Sequence, residues 1–130
     1  MLYWECIRSK LRLTALITGA ASTLTVGAIA INNTRPYWSN YGPSVDVFAA
    51  GVDVRSTSIY QDGSELLSGT SMSTPHVAGL ALYLMGLEGS ALDSPAAVTA
   101  RIKELATKDA IPNPGTGSPN LVAYNGNGRR

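Results

Sequence analysis

Cysteine is almost absent from this 130-residue chain: Cys6 stands alone. That excludes an internal disulfide framework and a cysteine-built metal site, and it leaves the redox compartment undefined. Histidine is as scarce, His76 being the single imidazole. An excess of either charge is also lacking. Ten Lys+Arg against nine Asp+Glu leave a formal net charge of +1, which gives no electrostatic reason to expect nucleic acid or an acidic surface as partner. Long hydrophobic runs are missing apart from Leu13 to Ile31, preceded by Arg8, Lys10 and Arg12. A signal peptide or a weak membrane span has to be weighed there. Against it, Thr14, Thr18, Ser22, Thr23 and Thr25 dilute the run, and its second half reads as a strand. No membrane partner is expected.

What is present suits one modest globular domain, with 45% hydrophobic residues. Met1 to Arg12 carry bulky and charged residues without periodicity. LTVGAIAI from Leu24 is short, apolar and partly β-branched, and stops at Asn32, Asn33, Thr34, Arg35 and Pro36, as a buried strand running into a loop does. The loop continues through WSNYGP. VDVFAA, Val45 to Ala50, reads as a second strand and VDVRSTS as a third extended piece; Asp62 and Gly63 then signal the turn of a hairpin. Beyond Gly69 the period changes. Val77, Leu80, Ala81, Leu84 and Met85 recur at helical steps, and Ala78, Leu82 and Leu87 make this helix apolar nearly all round. Such a helix is expected to be buried in a larger body. Ser94 and Pro95 announce a second helix, a surface one, with Val98, Ile102 and Leu105 on one stripe opposite Arg101, Lys103 and Glu104. LVAY at 121–124 is the last extended segment.

Gly69, Thr70 and Ser71 introduce the first helix, so backbone amides and the positive end of the helix dipole lie where a serine oxygen can meet an electrophile. Spacing alone favours a plainer role, in which Ser71, Ser73 and Thr74 only cap a core helix. Pro75 fits best as the first helical residue, with Thr74 as its cap. Gly69-Thr70-Ser71-Met72 is followed by Ser73 and not by glycine, which argues against the G-x-S-x-G elbow of an esterase or lipase.

The full wording weighs more than the spacing. LSGTSMSTPHVAGLALYL, Leu67 to Leu84, resembles the active-site serine segment of the subtilisin family of serine endopeptidases, especially its proteinase K-like branch. TVGAIA resembles the family strand before its SxYG loop, WSNYG resembles that loop, VDVFAAGVDVRST resembles the DIxAPGxxIxST run, and PNLVAYNG resembles the closing segment. The resemblance implies an α/β fold, part of a three-layer arrangement with a mostly parallel sheet and a central buried helix carrying the nucleophile. It implies that residues 22–126 are the C-terminal part of the catalytic domain, between a non-matching segment 1–21 and a tail 127–130. Ser71 is then the nucleophile, its own backbone NH one oxyanion donor, and a protein or peptide the substrate; no cofactor is required, and secretion is expected.

The family's catalytic aspartate, histidine and oxyanion asparagine belong to sequence before residue 22 and have no counterpart here. Asn32, Asn33, Asn40, Asp46 and Asp53 all follow the TVGA strand, and none is assigned those roles. His76 lies five residues from Ser71, roughly 500° around a helix and so about 140° off the serine's face, which excludes it as the general base. The resemblance also implies a structural calcium ion at Asp46, an oxygen ligand suited to a hard cation, although Ala20 to Thr23 depart from the family wording where carbonyl ligands belong. Ala50 replaces the usual proline. Tyr37, Trp38 and Tyr41 read as packing residues. The expectation is therefore a peptidase by family that is inactive alone, with the missing N-terminal half as a partner; the alternative is a non-catalytic remnant or interaction fragment that needs a partner chain.

Overall fold

The apolar runs bounded by turn formers become strands, and the segments of 3.6-residue period become helices. The computed structural model describes residues 23–59 and 63–128. The non-periodic opening, the candidate signal run up to Ser22, the departure at Ala20 to Ser22, and Asp62 of the expected turn lie outside the described residues. The elements are β1 (Val26–Ile29), β2 (Val47–Ala50), β3 (Val54–Thr57), β4 (Ser64–Leu67), α1 (Thr70–Glu88), a 3-10 turn (Gly89–Leu92), α2 (Pro95–Leu105), β5 (Thr107–Lys108) and β6 (Leu121–Val122).

Four strands form one sheet in the order β1-β2-β6-β5. β1 and β2 run parallel, with Val26 opposite Val47 and Ile29 opposite Ala50; β6 joins parallel at Phe48 and Val122, and β5 closes the edge antiparallel. β3 and β4 form a separate antiparallel hairpin, Val54 opposite Leu67 and Thr57 opposite Ser64. This is the expected partial α/β arrangement with a mostly parallel sheet. Two-residue β5 carries no alternation to read, so the sequence did not announce it.

The strand period of two divides the core between the two faces of the sheet. Val47 and Ala49 point to the side where Val77 and Leu84 of α1 and Ile102 of α2 are buried. Phe48 points the other way, onto Ile29, Val45 and Ile111. Gly27 belongs with Phe48, because a Cβ at Gly27 would stand 2.4 Å from that ring. Among the described residues both helices therefore lie on one face.

α1 starts earlier than its proline suggests. Gly69 is the N-cap residue with no side-chain cap bond, Pro75 sits inside the helix, and the Thr74 hydroxyl donates to the Thr70 carbonyl, 3.0 Å. None of the three hydroxyls expected as caps acts as one. The bond from Met72 N to Gly69 O, 3.0 Å, opens the first turn five residues before the proline. Only Ser73, Val77 and Leu84 of α1 are buried; Leu82 is 70% and Leu87 65% exposed. The larger body that an all-round apolar helix calls for is not supplied by the described residues. α2 follows its reading: Ser94 Oγ accepts from Ala97 N at 3.3 Å, and Pro95 stands in the first turn. Arg101 ties the helices together through Glu88 and reaches Glu104 on its own helix.

Candidate active site

The site is built where β2 ends and α1 begins. The chain leaves the sheet at Gly51, runs out through the β3–β4 hairpin and returns at Gly69, whose N–H donates to the Gly51 carbonyl at 2.8 Å. Beside that closure, Ser68 Oγ accepts from Asp53 N at 2.9 Å and donates to Asp53 Oδ1 at 3.3 Å. Asp53 holds a left-handed backbone, φ 51°, a conformation that aspartate tolerates better than most residues. The excursion thus begins and ends at one point.

The next turn is fixed from below. Ser73 is fully buried, and its Oγ donates to the Ala49 carbonyl at 3.1 Å. A Cβ at Gly51 would lie 2.2 Å from that Oγ, 2.7 Å from Ala28 Cβ and 2.9 Å from Gly69 O. Glycine is therefore required at 51 by close approach, not by a special dihedral. Between the two anchors, at the second position of α1, Ser71 is exposed. Helix geometry gives the first four N–H groups no acceptor within the helix, so Thr70 and Ser71 present amides and the positive dipole end beside the Ser71 hydroxyl. Such a setting suits an oxygen that attacks an electrophile and then stabilises the anion formed.

His76 is turned back along its own helix. Its Nδ1 lies 2.8 Å from the Met72 carbonyl; a carbonyl only accepts, so Nδ1 is the donor in this bond. Asn32 Oδ1 accepts from Thr34 N at 3.1 Å in the loop after β1, and the Asn40 carbonyl accepts from Ser39 Oγ at 3.2 Å. The aromatic readings divide. Tyr41 takes the Arg35 guanidinium over its ring at 4.7 Å and lies against Gly115, where a Cβ would come within 2.6 Å of it. Trp38 is half-buried, but Tyr37 is 94% exposed and does not pack among the described residues.

Asp46 stands apart from Ser71, at the start of β2. Its Oδ2 accepts from Thr25 N at 2.8 Å, and its Oδ1 is paired with Lys103 Nζ of α2. Among the described residues no group of three or more His, Cys, Asp or Glu is placed to hold a metal ion. A separate apolar groove of about 390 Å³ runs between the helices and β1, lined by Val26, Val77, Ala81, Met85, Val98 and Ile102.

The sequence reading missed Gly51, Ser68, Ser73 and Lys103. Three of the four are ordinary polar or small residues whose partners are 15 to 57 positions away, and nothing local marks such pairs.

Comparison with known proteins is consistent with this geometry. The model of the subtilase family, Peptidase S8, matches residues 8–128. The chain is 54% identical over 109 residues to Alkaline protease 1 of Aspergillus flavus, covering 83% of this chain and 26% of that protein. It is 56% identical over 110 residues to the Subtilisin-like proteinase Mp1 of Magnaporthiopsis poae, covering 82% of this chain and 27% of that one. The crystal structure of a cold adapted subtilisin-like serine proteinase superposes with a TM-score of 0.72 at 35% identity, over 80% of this chain and 37% of the other. The chain thus spans about a quarter of the length of the curated relatives it matches. A family model that takes in residues 8–128, and a solved subtilisin-like fold that superposes on 80% of the chain, place this chain in the subtilase family.

Proposed function

We propose that the protein represented by this chain is a serine endopeptidase that cleaves internal bonds of proteins or peptides by acyl transfer, with Ser71 as the nucleophile and its backbone NH as one oxyanion donor. The observation that carries this reading is the placement of an exposed Ser71 at the head of α1, between the Gly69–Gly51 closure and the buried Ser73–Ala49 bond. Ser71 attacks the carbonyl as a histidine takes its proton and passes it to the leaving amine; water then attacks the acyl-enzyme, and a proton returns to Ser71 through the same histidine as the acid product leaves. Secretion accompanies that role in this reading. Residues 22–126 make up the C-terminal part of the catalytic domain.

These 130 residues do not complete the reaction by themselves. Their one imidazole, His76, stands five residues from Ser71 on the same helix, about 140° off the serine's face, with Nδ1 turned back to Met72 O, so it is not the base for Ser71. In subtilisin itself, loss of the serine or the histidine alone costs on the order of 10⁶ in turnover, and an absent oxyanion asparagine removes a further factor of about 10²–10³. The histidine, aspartate and asparagine are supplied by catalytic-domain sequence outside these residues.

The test has two arms. The 130-residue chain is expected to leave a peptide anilide uncleaved; robust turnover abolished by Ser71→Ala overturns the claim of inactivity. When residues 22–126 are joined to the preceding catalytic-domain sequence of a relative, a serine-directed phosphonate is expected to attach at Ser71, located by mass spectrometry. Attachment at another serine overturns the assignment. The open apolar face of α1, with Leu82, Met85 and Leu87 exposed, favours a second reading in which the chain acts as a non-catalytic interaction fragment. Under that reading the joined protein folds but takes no phosphonate.

A further inference from the structure

The calcium ion expected at Asp46 is a family feature that the described residues around Asp46 do not fit. Calcium takes six to eight oxygen ligands at about 2.3–2.6 Å. Here both carboxylate oxygens have protein partners, the Thr25 amide on Oδ2 and the Lys103 ammonium on Oδ1. A neighbouring backbone oxygen is committed as well: Thr25 O accepts from Asp46 N at 2.9 Å and from Val47 N at 3.3 Å. The cavity beside the pair, about 410 Å³, is lined by Pro43, Val45, Gly117, Ser118 and Leu121 besides Asp46 and Lys103. Asp46 is the only carboxylate among these. Among the described residues, a divalent ion there would meet one carboxylate and a resident ammonium of its own sign.

We infer that Lys103 serves as a built-in cation in place of a metal, joining the last turn of α2 to the start of β2 through Asp46. The position favours a cation for two further reasons. Lys103 lies in the last turn of α2, where the helix dipole stabilises positive charge. Its neighbour Ile102 is fully buried in the helix-side core, which holds the turn carrying Lys103 against the sheet. The Thr25 amide orients the carboxylate towards it. The β1–β2–α2 junction then holds its shape without calcium, and its stability depends on Lys103. This inference is independent of the catalytic reading, since no step of the reaction enters it.

The experiment follows thermal unfolding of the 130-residue chain by circular dichroism, at micromolar protein, in millimolar Ca²⁺ and in chelator, for the wild type, Asp46→Asn, Lys103→Gln and the double variant. The wild type is expected to melt cooperatively at the same midpoint in both solutions. Each single variant is expected to melt about 2–6 °C lower, and the double variant no lower than the worse single one. A wild-type midpoint that rises with Ca²⁺, with the rise lost in Asp46→Asn, overturns the inference. So does a chain that melts cooperatively only in Ca²⁺ or in neither solution, and so do single-variant losses that simply add.

Discussion

At the scale of single residues, the candidate nucleophile depends on groups that do no chemistry. Ser73 is the clearest case, because its hydroxyl is the buried donor to Ala49 O. Ser73→Ala leaves that carbonyl without the donor and is expected to lower stability by about 1–2 kcal/mol, measured by urea unfolding of the chain. Gly51→Ala is expected to do more harm. Its Cβ would meet Ser73 Oγ, Ala28 and the Gly69 carbonyl all below 3 Å, and two of those three belong to the turn that positions Ser71. A Gly51→Ala chain as stable as the wild type, by the same unfolding measurement, would show that the junction gives way readily. Ser71 and the family wording around it were legible from sequence, whereas Gly51 and Ser73 were not: their requirement comes from close approach between segments 22 residues apart.

At the scale of elements, α2 was readable almost to the residue because its signals are local. A serine followed by a proline starts it, and Val98, Ile102 and Leu105 pack one stripe on the core. Ser94→Ala is expected to cost about 1 kcal/mol, seen as a lowered midpoint of chemical unfolding. The Arg101 clasp between the helices is insensitive to pH around neutrality. Hydrogen bonds to Glu104 and Glu88 raise the Arg101 pKa above its ordinary value, so the guanidinium stays charged until strong alkali, and the stability it adds is lost as pH climbs through that raised value. α1 was harder to read at its start. Pro75 looked like a first helical residue, yet tertiary bonds from Gly69 to Gly51 and from Ser73 to Ala49 extend the helix N-terminal to the proline. Proline has no N–H, so the Ser71 carbonyl forgoes its helical donor.

At the scale of the whole molecule, the sheet carries a core on each face, with both helices over one of them, while one side of α1 stays uncovered. Leu82 and Leu87 are each more than 60% exposed there and Met85 43%, apolar surface that favours association. The wild-type chain is therefore expected to elute as oligomers on size exclusion at rising concentration, and Leu82→Asp with Leu87→Asp is expected to shift it towards the monomer. A wild-type chain that stays monomeric at high concentration argues against that face as sticky surface. No helix among the described residues is long and apolar enough to cross a membrane.

The sequence by itself determined the family, the two short apolar strands, the all-round apolar helix and the serine at its head. These depend on short-range period and on consecutive wording, which survive without neighbours. Only the tertiary structure decided how Ser71 is held, where α1 begins, that His76 bonds to its own helix, and that Asp46 faces Lys103. Each of those depends on atoms brought together across tens of residues, at distances of about 3 Å that no local pattern encodes.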